Sequence, residues 1–248
     1  MTGSPPPRTR AAGTRLRWSW GERRDEQQEE VPVTGVGASW HDQYDDPGSP
    51  LAVRLAVVRE ELRQAIARRP AGPVRLVSVC AGQGRDVIAA LDGHPRRGDV
   101  SAVLVEIDSQ NAELARRRIR AARLTGVSVV QADASSTDAY AGHVPADVLL
   151  VCGVFGNISE ADIRRTIRLL PRLCGPKAEV IWTRHLGPRD GSANLTPQVR
   201  SWFGEAGFEE LAMRYTPQGY GIGTHRLTRP PQPYAPGLRL WAAFVQRW

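Results

Sequence analysis

With 248 residues, 41% of them hydrophobic and 24% charged, the chain has the size and composition of a globular protein built around a full core. None of its apolar runs approaches the roughly 20 residues that a membrane-spanning helix requires, and we find no apolar stretch typical of a secretory signal, so we expect a cytoplasmic protein. The net charge of +7 would suit a nucleic-acid partner, but Lys177 is the single lysine among 33 basic residues, and the densest arginine cluster falls on a solvated helix face. A nucleic-acid partner is therefore not expected.

The N-terminal part of the chain divides into two segments ahead of the core domain. Residues 1–37 are rich in proline, arginine and acidic side chains with little apolar periodicity, which predicts a disordered tail. Residues 38–73 are expected to form an N-terminal cap and a helix, because apolar residues recur at helical spacing from Leu51 to Ile66. Residues 74–248 then form the core domain.

Strands and helices alternate through this core domain. Short apolar runs predict strands, and the amphipathic segments between them predict helices. Such alternation indicates βαβ units and a mainly parallel sheet. The predicted strands are 74–79, 101–106, 127–131, 147–152 and 178–183, and the predicted helices are 51–69, 86–92, 109–124, 160–170 and 195–206.

The chain changes character after residue 206. An extended segment opens at Gly207-Phe208, and the stretch 217–237 is rich in glycine and proline. Within it, 219–225 is expected to form a loop, with a hairpin that has no role in the site as the alternative. The apolar segment 238–245 predicts a closing strand. Because no crossover helix fits between the last two strands, we expect them to pair antiparallel.

A glycine-flanked turn follows the first predicted strand, and an acid ends the second. A backbone that passes close to a nucleotide-like ligand needs glycine, here Gly82 and Gly84, because a Cβ would block the approach. A carboxylate at the next strand end, here Glu106, can accept hydrogen bonds from both hydroxyls of a ribose. The two features together predict a nucleoside-cofactor site.

With these motifs the chain resembles the class I S-adenosylmethionine-dependent methyltransferases over residues 40–248. The glycine loop of that family reads Asp-x-Gly-x-Gly-x-Gly, and this chain matches two of its four key positions. The acid that ends the second strand, an Ala-Arg pair nine residues later, and two further strand-end motifs follow in the family's order and spacing. The positions that correspond to these motifs are Ser78, Cys80, Gly82, Gly84, Glu106, Ala115, Arg116, Asp133, Ala134, Asp147, Cys152 and Gly153, of which Ser78 and Cys80 depart from the family pattern.

The resemblance implies an α/β fold with a doubly wound, seven-stranded, mostly parallel sheet in the order 3-2-1-4-5-7-6, its last strand antiparallel, which is the Rossmann-like methyltransferase core. It implies that the loop 81–84 holds the methionyl part of S-adenosylmethionine and that Glu106 holds the ribose. It also implies that Asp133 accepts from the adenine amino group and that the Ala134 amide meets a ring nitrogen. The other residues expected to border the cofactor are Tyr44, Cys80, Ala81, Gln83, Ile107, Cys152 and Gly153.

The reaction implied is the transfer of a methyl group to a small-molecule acceptor by in-line displacement without a metal. At the end of the fourth strand the chain lacks the Asp/Asn-Pro-Pro-Tyr motif of base-amine methyltransferases and the Pro-Cys motif of pyrimidine C5 enzymes. The metal-dependent relatives carry a carboxylate after the fifth strand, where this chain has none, and no histidine has metal-ligand spacing.

Histidines are the candidates for a general base, because histidine titrates near neutral pH. His185 is the first choice, since it ends a central strand and open α/β sheets bind ligands at that edge. His225 is the second choice and His41 the third. Segments 40–46 and 219–225 are expected to roof the acceptor pocket.

Three alternatives remain open. An RNA or protein acceptor is the alternative within the class. An NAD(P)-dependent oxidoreductase would use the same glycines, but 82–87 lacks the third glycine of G-x-G-x-x-G. A non-catalytic domain that binds the nucleotide cofactor without using it, or has lost it, fits the departures at Ser78 and Cys80. Against it stands Glu106, because a buried acid has little structural purpose without a ligand. The sequence does not indicate the oligomeric state.

Overall fold

Seven β-strands and five α-helices make up the part of the chain that the computed structural model describes, residues 1–3, 43–187 and 194–245. Beyond residue 3, the predicted tail lies outside these ranges, as does His41. The strands are β1 (Val74–Val79), β2 (Val100–Glu106), β3 (Val127–Gln131), β4 (Ala146–Val151), β5 (Cys174–His185), β6 (Phe208–Tyr215) and β7 (Tyr220–Leu227). The helices are α1 (Pro50–Arg68), α2 (Arg85–Leu91), α3 (Ser109–Ala121), α4 (Glu160–Leu169) and α5 (Thr196–Glu205).

The strands form one sheet in the order β3-β2-β1-β4-β5-β7-β6. Strands β1 to β5 pair in parallel, and β7 is antiparallel to both β5 and β6. The predicted doubly wound, seven-stranded sheet is therefore confirmed. The strand order reverses between β1 and β4, and this reversal opens a crevice at the carboxyl ends of the central strands, where such sheets bind ligands.

Alternate side chains of the strands face two layers of helices. Leu76 packs with α1, α2 and α3 on one face of the sheet, and its neighbour Val77 packs with α4 and α5 on the other. Ser49, Asp108 and Ser159 cap α1, α3 and α4, each accepting a hydrogen bond from the amide three residues further on. Every helix in the described ranges is too short or too polar to cross a lipid bilayer.

The expectation of a loop at 219–225 is wrong, and the alternative of a hairpin is correct, because β6 pairs antiparallel with β7 across this stretch. Its glycines make room for bulky side chains of the flanking strands. A Cβ at Gly223 would lie 2.4 Å from the Trp182 ring, and one at Gly221 would lie 2.7 Å from the end of Met213. This segment has a glycine content typical of a loop, but it forms a strand that pairs with β5 on one side and β6 on the other.

Residues 238–245 do not form the predicted closing strand. In the described part of the chain this segment makes only an isolated bridge, between Ser136 and Arg239. Leu240 and Trp241 are nevertheless buried, 0% and 2% exposed, which explains the apolar pattern. They belong to a segment that we call the C-terminal strap, residues 228–245, which runs from the end of β7 to the loops after β3 and β4.

Two buried glutamates tie α1 to the antiparallel end of the sheet. Glu179 of β5 binds Arg68 of α1 at 2.7 Å and Arg226 of β7 at 3.0 Å. Glu61 of α1 accepts a hydrogen bond from the Thr224 hydroxyl at 2.8 Å. Because both acids are nearly inaccessible to water, their partners are needed to offset the cost of burying the charge.

Glu179→Ala is expected to lower the free energy of unfolding by about 2–4 kcal/mol, because it leaves two half-buried guanidinium groups without their carboxylate. Urea unfolding of the variant measures this loss. The exposed Glu60 on α1 provides the control, since Glu60→Ala should change stability by less than about 0.5 kcal/mol. A Glu179→Ala protein as stable as the Glu60→Ala protein would contradict the structural role.

Candidate nucleoside site

The loop after β1 is pinned to the end of β2 in a conformation that requires glycine. The Gly82 amide donates to Glu106 Oε2 at 2.7 Å. Gly82 and Gly84 have φ values of +54° and +67°, in the left-handed region that favours glycine. A Cβ at Gly84 would also lie 2.6 Å from Leu104 Cδ1, so the loop cannot carry a side chain there without displacing the core.

Glu106 is a buried acid, 7% exposed, at the carboxyl end of β2. Its Oε1 accepts from the Asp108 amide at 2.8 Å, so each carboxylate oxygen has one backbone donor. Burial raises the pKa of Glu106, and the two amide hydrogen bonds partly offset that shift. Each oxygen of a carboxylate can accept a second hydrogen bond, which is the capacity that a pair of ribose hydroxyls needs.

Ile107, directly after the acid, exposes 62% of its surface, which is unusual for a large apolar side chain. It therefore presents apolar surface at the same edge as the Glu106 carboxylate. An exposed apolar side chain beside a buried acceptor suits a flat, partly polar ligand such as a nucleoside.

Asp133 and Ala134 follow β3, the neighbour of β2. Asp133 Oδ1 accepts from the Ser135 amide at 2.8 Å, and Oδ2 accepts from Arg239 at 2.5 Å. Burial would raise the pKa of Asp133, but these hydrogen bonds outweigh it and lower the pKa. Within the described residues, the Ala134 amide donates to no acceptor. The ionised Asp133 carboxylate, which is an acceptor, and the Ala134 amide, which is a donor, are therefore next to each other in the chain.

Cys80 has a φ of +51°, an uncommon conformation for a residue with a side chain. Burial, together with the negative charges of Glu106 and Asp133, raises the pKa of the Cys80 thiol well above its usual range. The thiol is therefore neutral and fills the space between the two acids. It is not an activated nucleophile.

Gln83 is 4% exposed, and its side-chain amide is occupied by neighbouring protein groups. Its nitrogen donates to Asn111, and its oxygen accepts from Arg118 at 3.0 Å and from Arg85 at 3.3 Å. Arg85 also forms a two-bond ion pair with Asp45. The Gln83 side chain thus braces the glycine loop against α3, and this leaves the backbone of the loop to face a ligand.

A second group of residues at the carboxyl edge of the sheet consists of Tyr44, Arg54, Asp86 and Cys152. The Arg54 guanidinium donates to the Tyr44 hydroxyl and lies 5.2 Å from the centre of the Tyr220 ring. Burial raises the pKa values of Tyr44, Asp86 and Cys152, and the Asp86 charge adds to the shift at both Tyr44 and Cys152. These four groups therefore share one poorly hydrated corner of the crevice.

Neither Arg54 nor Asp86 is singled out in the sequence analysis. Arg54 did leave a signal. It shares the buried face of α1 with Leu51 and Val58, and a charged residue in an apolar stripe needs a partner or a ligand.

Gly153 ends β4 beside Cys152 and has a φ of +75°. Its amide donates to the Thr183 hydroxyl of β5 at 2.9 Å. The loop after β4 is thereby fixed to the neighbouring strand. Cys152 and Gly153 consequently border the crevice next to the glycine loop, as expected from the pairing of β1 with β4.

His185 lies at the carboxyl end of β5, one strand beyond β4 at the same edge. Its Nδ1 is 3.1 Å from the Gly187 amide nitrogen and 3.3 Å from the Gly187 carbonyl oxygen, so either neutral tautomer has a partner. The ring edge packs against Tyr220 at 4.9 Å between centres. With the proton on Nδ1, the Nε2 lone pair is available to accept a proton.

His225 lies in the core and not at this edge. It is 1% exposed, stacks on Phe203 at 4.3 Å and accepts from Trp182 Nε1 at 3.1 Å. Burial lowers the pKa of His225 to about 4 against the opposing charge of Glu210. Its position argues against a role as general base, because no acceptor at the crevice could reach it. The segment 219–225, expected as a roof, is mostly the strand β7.

No cluster of three or more potential metal ligands occurs in the described ranges. A family model described as "Putative methyltransferase" matches residues 50–186, more than half of the chain and the range that carries most of the edge described above. No curated protein sequence matches the chain.

Solved structures share the fold. An O-methyltransferase family protein from Burkholderia thailandensis matches with a TM-score of 0.56 and 17% identity, and the match covers 71% of this chain but only 55% of that protein. Magnesium protoporphyrin IX methyltransferase (ChlM) from Synechocystis, solved with bound SAM, matches with a TM-score of 0.58 and 13% identity over 77% of this chain and 93% of that one. The [4+2]-cyclase SpnF matches with a TM-score of 0.51 and 19% identity over 71% and 81%. Identities this low establish a common fold only.

Proposed function

The chain belongs to the methyltransferase family whose model matches residues 50–186, and from that premise we propose that it transfers a methyl group from S-adenosylmethionine to a small-molecule acceptor. The observation that carries the proposal is the buried Glu106 carboxylate, joined to a left-handed glycine loop by the Gly82 amide. Each Glu106 oxygen can accept one hydrogen bond beyond its amide donor, and the ribose of the cofactor supplies two hydroxyl donors.

The residues of the edge fit the successive parts of such a cofactor. Glu106 retains acceptor capacity for the ribose, and Ile107 offers apolar surface to a nucleobase. Asp133 supplies an ionised acceptor and Ala134 an unclaimed amide donor, which suit the amino group and a ring nitrogen of adenine. When bound, S-adenosylmethionine supplies a methyl group activated by its sulfonium centre.

The corner formed by Tyr44, Arg54 and Asp86 fits the amino-acid head of the cofactor. That head carries one carboxylate and one ammonium group. Arg54 is a buried cation beside the Tyr44 hydroxyl, and Asp86 is a half-buried carboxylate nearby. Opposite charges in a poorly hydrated corner attract both ends of a zwitterion more strongly than they would in water.

Arg54→Ala should weaken the binding of S-adenosylhomocysteine about 10- to 100-fold, the effect of losing one or two charge-assisted hydrogen bonds. The same change should leave the affinity for 5′-methylthioadenosine, which lacks the amino-acid head, within about threefold. Calorimetric titration of both ligands measures the difference. Arg59→Ala on the exposed side of α1 is the matched control, and equal losses for the two ligands would contradict this assignment.

The acceptor is expected beyond the head group, next to His185 and Tyr220 at the ends of β5 and β7. Its nucleophilic atom must line up with the methyl group, and positioning supplies most of the rate enhancement. His185 Nε2 is then the candidate to take the proton that an attacking hydroxyl or amine releases. Cys152 contributes a neutral thiol to the wall, because burial raises its pKa.

Charge pairing on α3 favours a small acceptor over a nucleic acid. Glu113 lies within 4 Å of Arg116, Arg117 and Arg120, so the densest arginine cluster is partly neutralised within its own helix. Nucleic-acid binding instead needs cations that are free to replace the counterions of phosphates. An RNA acceptor would show itself as binding that falls steeply with salt.

The test of this function is release of S-adenosylhomocysteine when the protein is incubated with S-adenosylmethionine and pools of phenols, amines and carboxylic acids. Turnover with a pool, lost in Glu106→Ala, is the expected result. Turnover only with RNA or with a protein substrate would show that the acceptor is not a small molecule, while S-adenosylmethionine would remain the methyl donor. Hydride transfer from NADPH would contradict the proposal.

A further inference from the structure

The C-terminal strap crosses from the amino edge of the sheet to the carboxyl edge. The Gln232 amide donates to the Pro171 carbonyl, and Arg172 donates to the Pro233 carbonyl, both at 3.0 Å and both ahead of β5. The Tyr234 hydroxyl then donates to the Thr137 carbonyl in the loop after β3, also at 3.0 Å. The strap therefore approaches the loop that contains Asp133 along a fixed path.

The end of the strap is fastened to the loops after β3 and β4. The Thr137 amide donates to the Leu238 carbonyl at 2.9 Å, and the Leu240 amide donates to the Ser135 carbonyl at 2.8 Å. The Val245 amide donates to the Asn157 carbonyl at 2.7 Å. The strap is thus part of the wall of the crevice, on the side where the nucleobase is expected.

One side chain of the strap reaches a predicted cofactor residue. Arg239 Nη1 lies 2.5 Å from Asp133 Oδ2 and 2.6 Å from the Ser135 hydroxyl. The second carboxylate oxygen of Asp133 accepts from the Ser135 amide, so both oxygens are held. The Asp133 side chain is 44% exposed, and a carboxylate with two donors still has two acceptor positions to offer.

We propose that Arg239 is a positioning residue of the nucleobase subsite, which fixes the ionised Asp133 carboxylate so that its remaining lone pairs select a 6-amino purine over a 6-oxo purine. The inference rests on the proposed nucleoside cofactor. An amino group donates to a carboxylate, whereas a carbonyl oxygen at the same place would oppose it acceptor to acceptor. A site built around a buried or fixed acceptor rejects a ligand that lacks the matching donor.

Arg239 is well placed for a test by substitution. Its side chain is 55% exposed, and exposed ion pairs add little to stability, so the variants should fold. Tyr234→Phe is the matched control, because it removes one fastening of the same strap and leaves Asp133 untouched. Thermal unfolding of each variant verifies its folding.

The experiment titrates the full-length protein with S-adenosylhomocysteine and with S-inosylhomocysteine, whose purine carries a 6-oxo group in place of the 6-amino group and a proton on the adjacent N1. Wild type and Tyr234→Phe are expected to prefer the adenosyl ligand by about tenfold or more. Arg239→Ala should lose most of that preference, because its affinity for the adenosyl ligand alone should fall. Arg239→Lys should keep part of the preference. Asp133→Asn, which replaces the carboxylate itself, should lose the preference as Arg239→Ala does.

An unchanged preference in Arg239→Ala, or equal weakening of both ligands, would overturn the inference while leaving the cofactor assignment intact. Equal weakening would mean that Arg239 only fastens the strap. Wild-type protein that binds neither ligand would overturn the proposed function itself, and this inference with it. The two failures are therefore distinguishable in one set of titrations.

Discussion

Replacing Glu106 with alanine is expected to weaken binding of S-adenosylhomocysteine by about a hundredfold or more, because two charge-assisted hydrogen bonds to the ribose, each worth about 1.5–3 kcal/mol, disappear together. The loss has a second source. The Glu106 carboxylate also accepts from the Gly82 and Asp108 amides, so the loop that faces the methionyl part loses its anchor on β2. Few other single changes remove a ligand contact and a support of the loop at once.

The rise in melting temperature on addition of S-adenosylhomocysteine measures this effect, since a ligand that binds only the folded state stabilises it by RT ln(1 + L/Kd) at a free ligand concentration L. Glu113→Ala, an exposed acid on α3, is the control and should keep the full rise. Glu106→Gln tests the contribution of the charge, because it keeps one acceptor oxygen in a side chain of nearly the same size. An undiminished rise in Glu106→Ala would exclude this carboxylate from the site.

Gly84→Ala is expected to lower the free energy of unfolding by about 2–5 kcal/mol. A left-handed alanine costs about 1–2 kcal/mol, and overpacking adds about 1–3 kcal/mol, because the new Cβ would lie 2.6 Å from Leu104 Cδ1. Since Gly84 precedes α2 and closes the ligand loop, we also expect weaker cofactor binding in whatever fraction remains folded.

Gly93 offers an unusually close control for this prediction. Its φ of +63° is nearly that of Gly84, but a Cβ there meets nothing within 4 Å. Gly93→Ala should therefore show the backbone cost alone, about 1–2 kcal/mol. Parallel urea titrations of the two variants isolate the packing contribution. Equal losses would contradict the claim that the loop is pressed against the core at Gly84.

The central strands could be predicted because local pattern and global fold agree there. β1 and β3 have the predicted bounds. β1 is an apolar run that is buried at every position except Arg75, and β3, at the edge of the sheet, keeps valine at three of its five positions. Glu106 could be singled out because an acid that ends such a run contradicts its burial unless it serves a ligand. The family resemblance carried by these motifs is confirmed by the match over residues 50–186.

The antiparallel end could not be predicted in the same way, because its pattern reflects neighbours that are distant in sequence. Gly223 is glycine because Trp182 of β5 occupies the space of its side chain. Conversely, the apolar run at 238–245 does not join the sheet. The backbone of Leu240 forms hydrogen bonds with the Ser135 carbonyl and the Thr166 hydroxyl in place of a neighbouring strand. Local propensity does not contain either contact.

The fold does not fix the reaction. Structures that share it here include a methyltransferase solved with bound SAM and a [4+2]-cyclase. The function therefore has to be argued from the edge residues of this chain, and the acceptor from the corner that holds His185 and Tyr220.

The most direct test of the account is calorimetric titration of the full-length protein with S-adenosylhomocysteine and, separately, with NADPH. The account predicts saturable binding of S-adenosylhomocysteine with a dissociation constant in the micromolar range, on the order of −8 kcal/mol, and no heat from NADPH. Binding of NADPH, or of neither ligand, would contradict the claim that this edge is an S-adenosylmethionine site.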